Sequence, residues 1–284
     1  MPPYLTITPT RRGHRPLIRT PITTLRHPDT HRAIVVVSTI HYAEPAYYHQ
    51  LLDDITTHQQ HGFTVHHEGA QYRTPGDEPT DAEQDVLAHL TTMRETERLR
   101  MTALGWTYQP TLLHHPTWQR RDMTDLDIIR AAGTDAMLTA VQRRLRLLTW
   151  PDEHVWRHAA YHAWFALANR AVARAARRPT TTRRPHRNPH TEAVLRVLTD
   201  QRTTLAVTAA TDTTDDLVMI WGAAHLPGIT TALHTHGYQL DTNATRWRTA
   251  GHLPPLITSA ARYLLRRPPA PHPHHHTRPH QSPE

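Results

Sequence analysis

The sequence contains no cysteine and no lysine, and it has only three serines: Ser38, Ser259 and Ser282. Without thiols, the chain has no disulfides, no cysteine nucleophile and no cysteine-ligated zinc or iron–sulfur site. None of the serines lies in a G-x-S-x-G segment, which is typical of the nucleophile elbow of serine-triad hydrolases. We therefore expect neither cysteine catalysis nor a hydrolase of that serine class.

Long apolar runs are also missing. The longest strongly apolar segment, Ala33 to Val37, has the length of a strand, whereas a membrane helix needs roughly 18 apolar residues. Arginines interrupt the first 30 residues, so the apolar region of a signal peptide is not recognised there (Arg11, Arg12, Arg15 and Arg19). The sequence predicts no membrane span and a cytoplasmic location.

The positive charge is concentrated in one segment. The formal net charge is +7, and from Arg157 to Arg187 there are eight arginines and no acidic residue. Neither interleaved aromatic residues nor a recognisable reader motif accompanies these arginines, so we do not expect a nucleic-acid partner. The expected partner is a small-molecule or peptide substrate. The oligomeric state stays open.

Composition shifts divide the 284 residues into three parts. Residues 1–30, rich in proline, threonine and arginine, are expected to be an irregular lead-in. Residues 31–266 are expected to form one α/β domain with a helical insertion at about 77–178 and a basic loop at 177–189. Residues 267–284 are low in complexity and rich in histidine and proline, which is typical of a disordered tail.

Two segments of the domain follow the same order of elements. The apolar strand at 33–37 is followed by His41, a helix and a strand near 63–68, and the apolar strand at 216–221 is followed by His225, a helix and a strand near 238. A further strand is expected at 203–209. The predicted fold is α/β, a single domain with a central mixed sheet flanked by helices. It is built around two strand-x-x-x-His-helix-strand units with a helical insertion between them.

The chain has 26 histidines, so position must identify the functional ones. His41 and His225 follow the carboxyl ends of buried strands, where open α/β sheets form their sites, and Glu68 ends a third strand. Gly222 offers backbone freedom and a close approach to a ligand, and Ser38 stands at the corresponding place in the first unit. In the alternative interpretation, the two histidines only bind backbone carbonyls at the strand ends.

Four segments carry a resemblance to a known family: Ser-Thr-Ile-His at 38–41, His-His-Glu-Gly at 66–69, Arg-Asn-Pro-His at 187–190 and Trp-Gly-Ala-Ala-His-Leu-Pro-Gly-Ile at 221–229. They resemble the TraB/PrgY/GumN family, whose mark is a pair of G-x-x-H motifs, an acidic residue after a strand and an Arg-Asn pair that opens a late helix. The family belongs to the wider Tiki superfamily, with erythromycin-esterase-like and ChaN-like haem-binding proteins. The resemblance covers about residues 33–250, and Ser38 departs from the first motif's glycine.

The resemblance implies a pocket lined by His41, Glu68 and His225 and a metal-dependent hydrolase activity on a peptide or ester bond. Two imidazoles and one carboxylate suit zinc, manganese, cobalt or iron(II) and leave coordination positions open. In this role Arg187 binds a substrate carboxylate or the developing oxyanion, and Asn188 either orients the substrate or caps the following helix. We expect Gly222, like Asn188, to bind the substrate.

Two other functions remain open for the same residues. The histidines of a binding protein would ligate haem or another small molecule without turnover, as the ChaN-like relatives suggest. A regulatory protein would carry a vestigial pocket. The basic segment at 177–187 leads directly into the Arg-Asn pair and is a candidate lid over the pocket.

Overall fold

The structure is a computed structural model that describes residues 4–8, 16–69, 71–103, 105–149 and 188–252. The last part of the expected helical insertion, Arg187 with nearly all of the basic loop, and the tail at 267–284 lie outside these residues.

A mixed sheet forms the centre of the fold. Its strands are β1 (Thr6–Thr8), β2 (Leu17–Arg26), β3 (Ala33–Thr39), β5 (Thr64–His67), β7 (Gln119–Arg120), β8 (Leu217–Gly222) and β9 (Gln239–His252). Strands β3, β8, β5 and β7 are parallel neighbours in that order, while β1, β3 and β9 pair antiparallel with β2. A small antiparallel pair, β4 (Tyr42–Ala43) and β6 (Thr107–Tyr108), lies apart from this sheet.

Helices cover both faces of the sheet and form the insertion. They are α1 (Pro45–Gln60), α2 (Asp81–Ala103), α3 (Gln109–Leu112), α4 (Asp125–Ala132), α5 (Thr134–Thr149), α6 (Pro189–Leu195), α7 (Arg202–Thr211) and α8 (Leu226–Thr235). A π-helical turn, Arg196–Gln201, joins α6 to α7, and a 3₁₀ turn, Ala223–His225, precedes α8.

Apolar side chains of the described residues form three clusters. On one sheet face, α1 buries Tyr47, Leu51 and Ile55 against β3 and β8. On the other face, α7 and α8 pack on alternate residues of the same strands, as the two-residue period of a strand requires. The insertion has its own cluster, in which α2, α4 and α5 pack together with Val194 and Val197.

The predicted fold class is confirmed: the chain has a mixed central sheet with flanking helices, two strand-His-helix-strand units and a helical insertion between them. Strands β3 and β8 run in parallel with Thr39 beside Gly222, so both units bring their histidine to the same sheet edge. The units differ in their last strand, because β5 joins β8 in parallel while β9 runs antiparallel along β2.

Two sequence-based expectations are wrong. Residues 1–30 are not irregular throughout, because β2 occupies Leu17–Arg26 and lies between β9 and β3. This strand contains one proline, three threonines and two arginines, which hid its apolar pattern. The expected strand at 203–209 is helix α7. Its β-branched residues favoured a strand, but Ala206, Val207 and Ala210 recur at helical spacing and pack on the sheet.

Within the described ranges, no helix combines the length and the apolar character that crossing a membrane requires.

Candidate functional site

A cavity of about 410 Å³ lies at the carboxyl edge of the parallel strands, between the sheet and the helical insertion. His41, Glu68, Asp122 and Arg202 line its polar end. This placement follows from the topology, since all carboxyl ends of parallel strands meet at one edge. Of the strand-end residues predicted from the sequence, His41 and Glu68 line this cavity, whereas His225 and Gly222 lie behind Glu68 and are not part of the lining.

Glu68 is fixed at the end of β5 by the sheet itself. Its backbone N–H donates to the carbonyl of Ile220 at 3.0 Å, and its side chain is almost fully buried. A Cβ atom placed on Gly222 would lie 3.1 Å from Glu68 Oε1. Gly222 therefore serves by leaving room for this carboxylate, since its backbone angles, φ −52° and ψ 136°, are ordinary for any residue.

Arg202, at the start of α7, joins two buried carboxylates. Its Nε and Nη2 atoms donate to Asp122 Oδ1 and Oδ2 at 2.9 and 2.6 Å, and Nη2 also lies 3.3 Å from Glu68 Oε2. Burial alone would raise the pKa of Asp122, but the bonds from Arg202 lower it overall. One guanidinium thus stabilises two anions, which leaves the group with an excess of one negative charge.

His225 is buried beside Glu68 and is oriented by Thr203. Its Nδ1 lies 2.9 Å from Thr203 Oγ1, and that hydroxyl donates its only proton to the carbonyl of Thr199 at 2.5 Å. Thr203 Oγ1 must therefore accept from Nδ1–H, and the lone pair of the ring is on Nε2. Burial lowers the pKa of His225, with Glu68 opposing the shift, so the neutral ring is favoured.

The lone pair of His225 faces Glu68 with no proton between them. Nε2 is 3.8 Å from Glu68 Oε2, which is too far for a hydrogen bond. Glu68 Oε1 is also buried without a hydrogen-bond partner among the described residues. Two acceptors are thus placed side by side in a buried setting, an arrangement that favours a cation or a proton donor from a ligand.

His41 lies at the same cavity but in a different environment. Its side chain is exposed, and its backbone carbonyl accepts the N–H of Gln109 at 2.8 Å. Burial is the main cause of the lowered pKa of His225, and His41 acts in the same direction, so the two rings are electrostatic neighbours. His41 remains available at the cavity mouth to bind a ligand.

Asn188 fulfils one of its two expected roles. Its side chain accepts the N–H of His190 at 2.9 Å and caps α6, and it is exposed and outside the cavity lining. Arg187, the expected oxyanion partner, lies outside the described residues.

Two of the three expected metal ligands are suitable for metal binding in their present positions. Glu68 and His225 supply a carboxylate and an unprotonated imidazole nitrogen, the donors that zinc, manganese, cobalt and iron(II) accept. Across the ranges that the structure describes, no group of three or more histidine, aspartate or glutamate side chains is close enough to hold a metal ion. His41 would therefore have to move toward Glu68 to complete the set.

Sequence reasoning missed Asp122, Arg202 and Thr203. Asp122 follows the two-residue strand β7, which is too short to show a pattern. Thr203 begins the segment that was interpreted as a strand, and Arg202 immediately precedes that segment. The π-helical turn before them adds a residue to the helix and shifts its apolar spacing, which hides the continuity of α6 and α7. Val194 and Val197 are three residues apart on one side of this shift, and Ala206 and Ala210 are four residues apart on the other. These two helical spacings were the available signal.

In comparisons with known proteins, no family model, no curated protein and no solved structure matches this chain.

Proposed function

We propose that the chain is a metal-dependent hydrolase of ester or peptide bonds, with a divalent transition metal bound by Glu68, His225 and His41. The observation that carries the proposal is the buried pair of Glu68 and His225, whose acceptor atoms are 3.8 Å apart with no proton between them. The family resemblance of the two histidine motifs points to the same activity.

The metal would act as a Lewis acid that lowers the pKa of a bound water and polarises the scissile carbonyl. The protein's own groups prepare this site. Thr203 keeps the proton of His225 on Nδ1, so that Nε2 carries the lone pair that a metal would bind. Arg202, which is itself held by Asp122, donates to Glu68 Oε2 and so orients this carboxylate. Arg187 is the proposed partner of the oxyanion that forms on the substrate.

Metal content and turnover of the full chain test this proposal. We compare the wild type with His225→Asn and with His234→Asn, a control at an exposed histidine of α8. All three proteins keep the histidine-rich tail, so its metal binding is a common background. The expected result is that His225→Asn loses about one equivalent of metal and all hydrolysis of a chromogenic ester and peptide panel, while His234→Asn retains both.

Equal metal content and equal turnover in the two variants would contradict the proposal. A visible haem band that disappears only in His225→Asn, with no turnover in the wild type, would favour the binding function instead. The cavity of about 410 Å³, lined by His41 and Glu68, is the observation that makes such a binding function the second candidate.

A further inference from the structure

The wall of the cavity opposite the strand ends is apolar and comes from the helical insertion. Its side chains are contributed by α2, α4, α5 and the turn after α6, and they include Leu90, Met93, Ile128, Met137, Val141 and Leu198. A concave apolar wall with a few convergent polar groups at one end is the usual form of a small-molecule site. The polar end here is the group of Glu68, Asp122 and Arg202.

Methionine is concentrated in this wall. Three of the six methionines of the chain, Met93, Met123 and Met137, line the cavity. Methionine side chains are flexible and polarisable and adapt to apolar groups of irregular shape. The wall is therefore suited to a hydrocarbon group rather than to one rigid polar ring.

The charged groups that line the cavity are already paired with one another. Arg94 forms two bonds with Asp125, at 2.6 and 2.7 Å. Arg144 binds Glu97.

Arg202 binds Asp122 and Glu68, as described above. In the described lining of the cavity, each guanidinium thus has a carboxylate partner and each carboxylate has a guanidinium. An anionic ligand would have to break one of these pairs to gain a guanidinium partner, and a neutral ligand would not.

We infer that the cavity takes a neutral substrate whose hydrocarbon portion packs against the insertion, with the bond to be cleaved at the strand ends. This inference names a substrate class for the proposed hydrolase and rests on that function for the cleavage step. The binding itself depends only on the apolar wall and its paired charges.

Binding of the neutral fluorophore N-phenyl-1-naphthylamine tests the apolar wall. Ala140 lines the cavity from α5, and the adjacent Thr139 is exposed and does not line it. Ala140→Trp places a large ring in the cavity, so we expect at least tenfold weaker binding of the probe. Thr139→Trp adds the same ring outside and is expected to bind within twofold of the wild type.

Competition with 1-decanol and decanoate tests the paired charges. Glu97→Gln leaves Arg144 without its carboxylate partner, so we expect the affinity for decanoate to rise at least tenfold relative to that for 1-decanol. Leu198→Phe, a second substitution that reduces the cavity, is measured in case Ala140→Trp does not fold.

Three results would overturn the inference: no probe binding by the wild type, equal probe binding in the two tryptophan variants, or displacement by decanoate as effective as that by 1-decanol before Glu97 is changed. These readouts require no turnover. Probe binding without hydrolysis would therefore count against the proposed function alone, and hydrolysis without probe binding would count against the neutral hydrocarbon substrate alone.

Discussion

The two strand–histidine junctions have similar sequences and adjacent positions, but their histidines are in opposite environments. His225 is buried and hydrogen-bonded to Thr203, whereas His41 is exposed at the cavity mouth. The difference comes from what packs over each strand end. The start of α7 lies over β8 and places Arg202 and Thr203 beside the second junction. A junction motif thus sets the location of a histidine, and the covering helix sets its chemistry.

The largest expected effect is the removal of Arg202 from the second junction. Arg202→Met keeps most of the volume but leaves Asp122 and Glu68 buried without their cation. We expect a loss of about 3–5 kcal/mol in the free energy of unfolding, measured by urea denaturation. Arg98→Met, at an exposed ion pair, is the control and should change the free energy of unfolding far less, because exposed ion pairs contribute little.

A double variant tests whether the stability depends on the charges around Arg202. Adding Asp122→Asn to Arg202→Met removes one of the two unpaired charges and should restore part of the lost stability. A double variant as unstable as the sum of the two single variants would show that the ion pair does not hold this junction.

Thr203→Val is expected to have the next largest effect. The substitution preserves shape but removes the hydroxyl that accepts Nδ1–H of His225, so a buried donor loses its partner. We expect a loss of about 2 kcal/mol in unfolding free energy. Thr203→Ser retains the hydroxyl and serves as the control. Nitrogen NMR shifts of His225 should report the Nδ1–H tautomer in wild type and Thr203→Ser, and a mixture in Thr203→Val; an unchanged tautomer would contradict the assignment.

Gly222 and Ser38 occupy matching places before the two histidines, and alanine at each tests how closely the junctions are packed. At Gly222 the new Cβ would lie 3.1 Å from Glu68 Oε1, so we expect a loss of about 1 kcal/mol of stability because Glu68 must shift. Ser38 is fully buried, and its Oγ has no hydrogen-bond partner among the described residues. Ser38→Ala should therefore be neutral or slightly stabilising. Similar losses of stability at both positions would show that the two junctions do not differ in how closely they are packed.

The two junctions also show which features of the fold and the site could be predicted from the sequence alone. Apolar runs of strand length predicted β3 and β8, and the residues after each strand could be placed at the sheet edge, because parallel strands end together. The sequence did not reveal that Arg202 approaches Glu68 across a separation of 134 residues. Such a contact depends on how α7 packs over the sheet, and the π-helical turn before α7 disguised the helix itself.

The smallest expected effect on stability is at His41, and it separates folding from function. The side chain is exposed, so His41→Ala should change the free energy of unfolding by less than about 0.5 kcal/mol. As the proposed third metal ligand, however, His41 should be needed for tight metal binding, and its loss should weaken metal affinity by about 10-fold or more. Metal titration of His41→Ala and of His49→Ala, an exposed histidine on α1, makes the comparison direct. Equal affinities would mean that His41 is not a ligand and that the buried junction alone carries the chemistry.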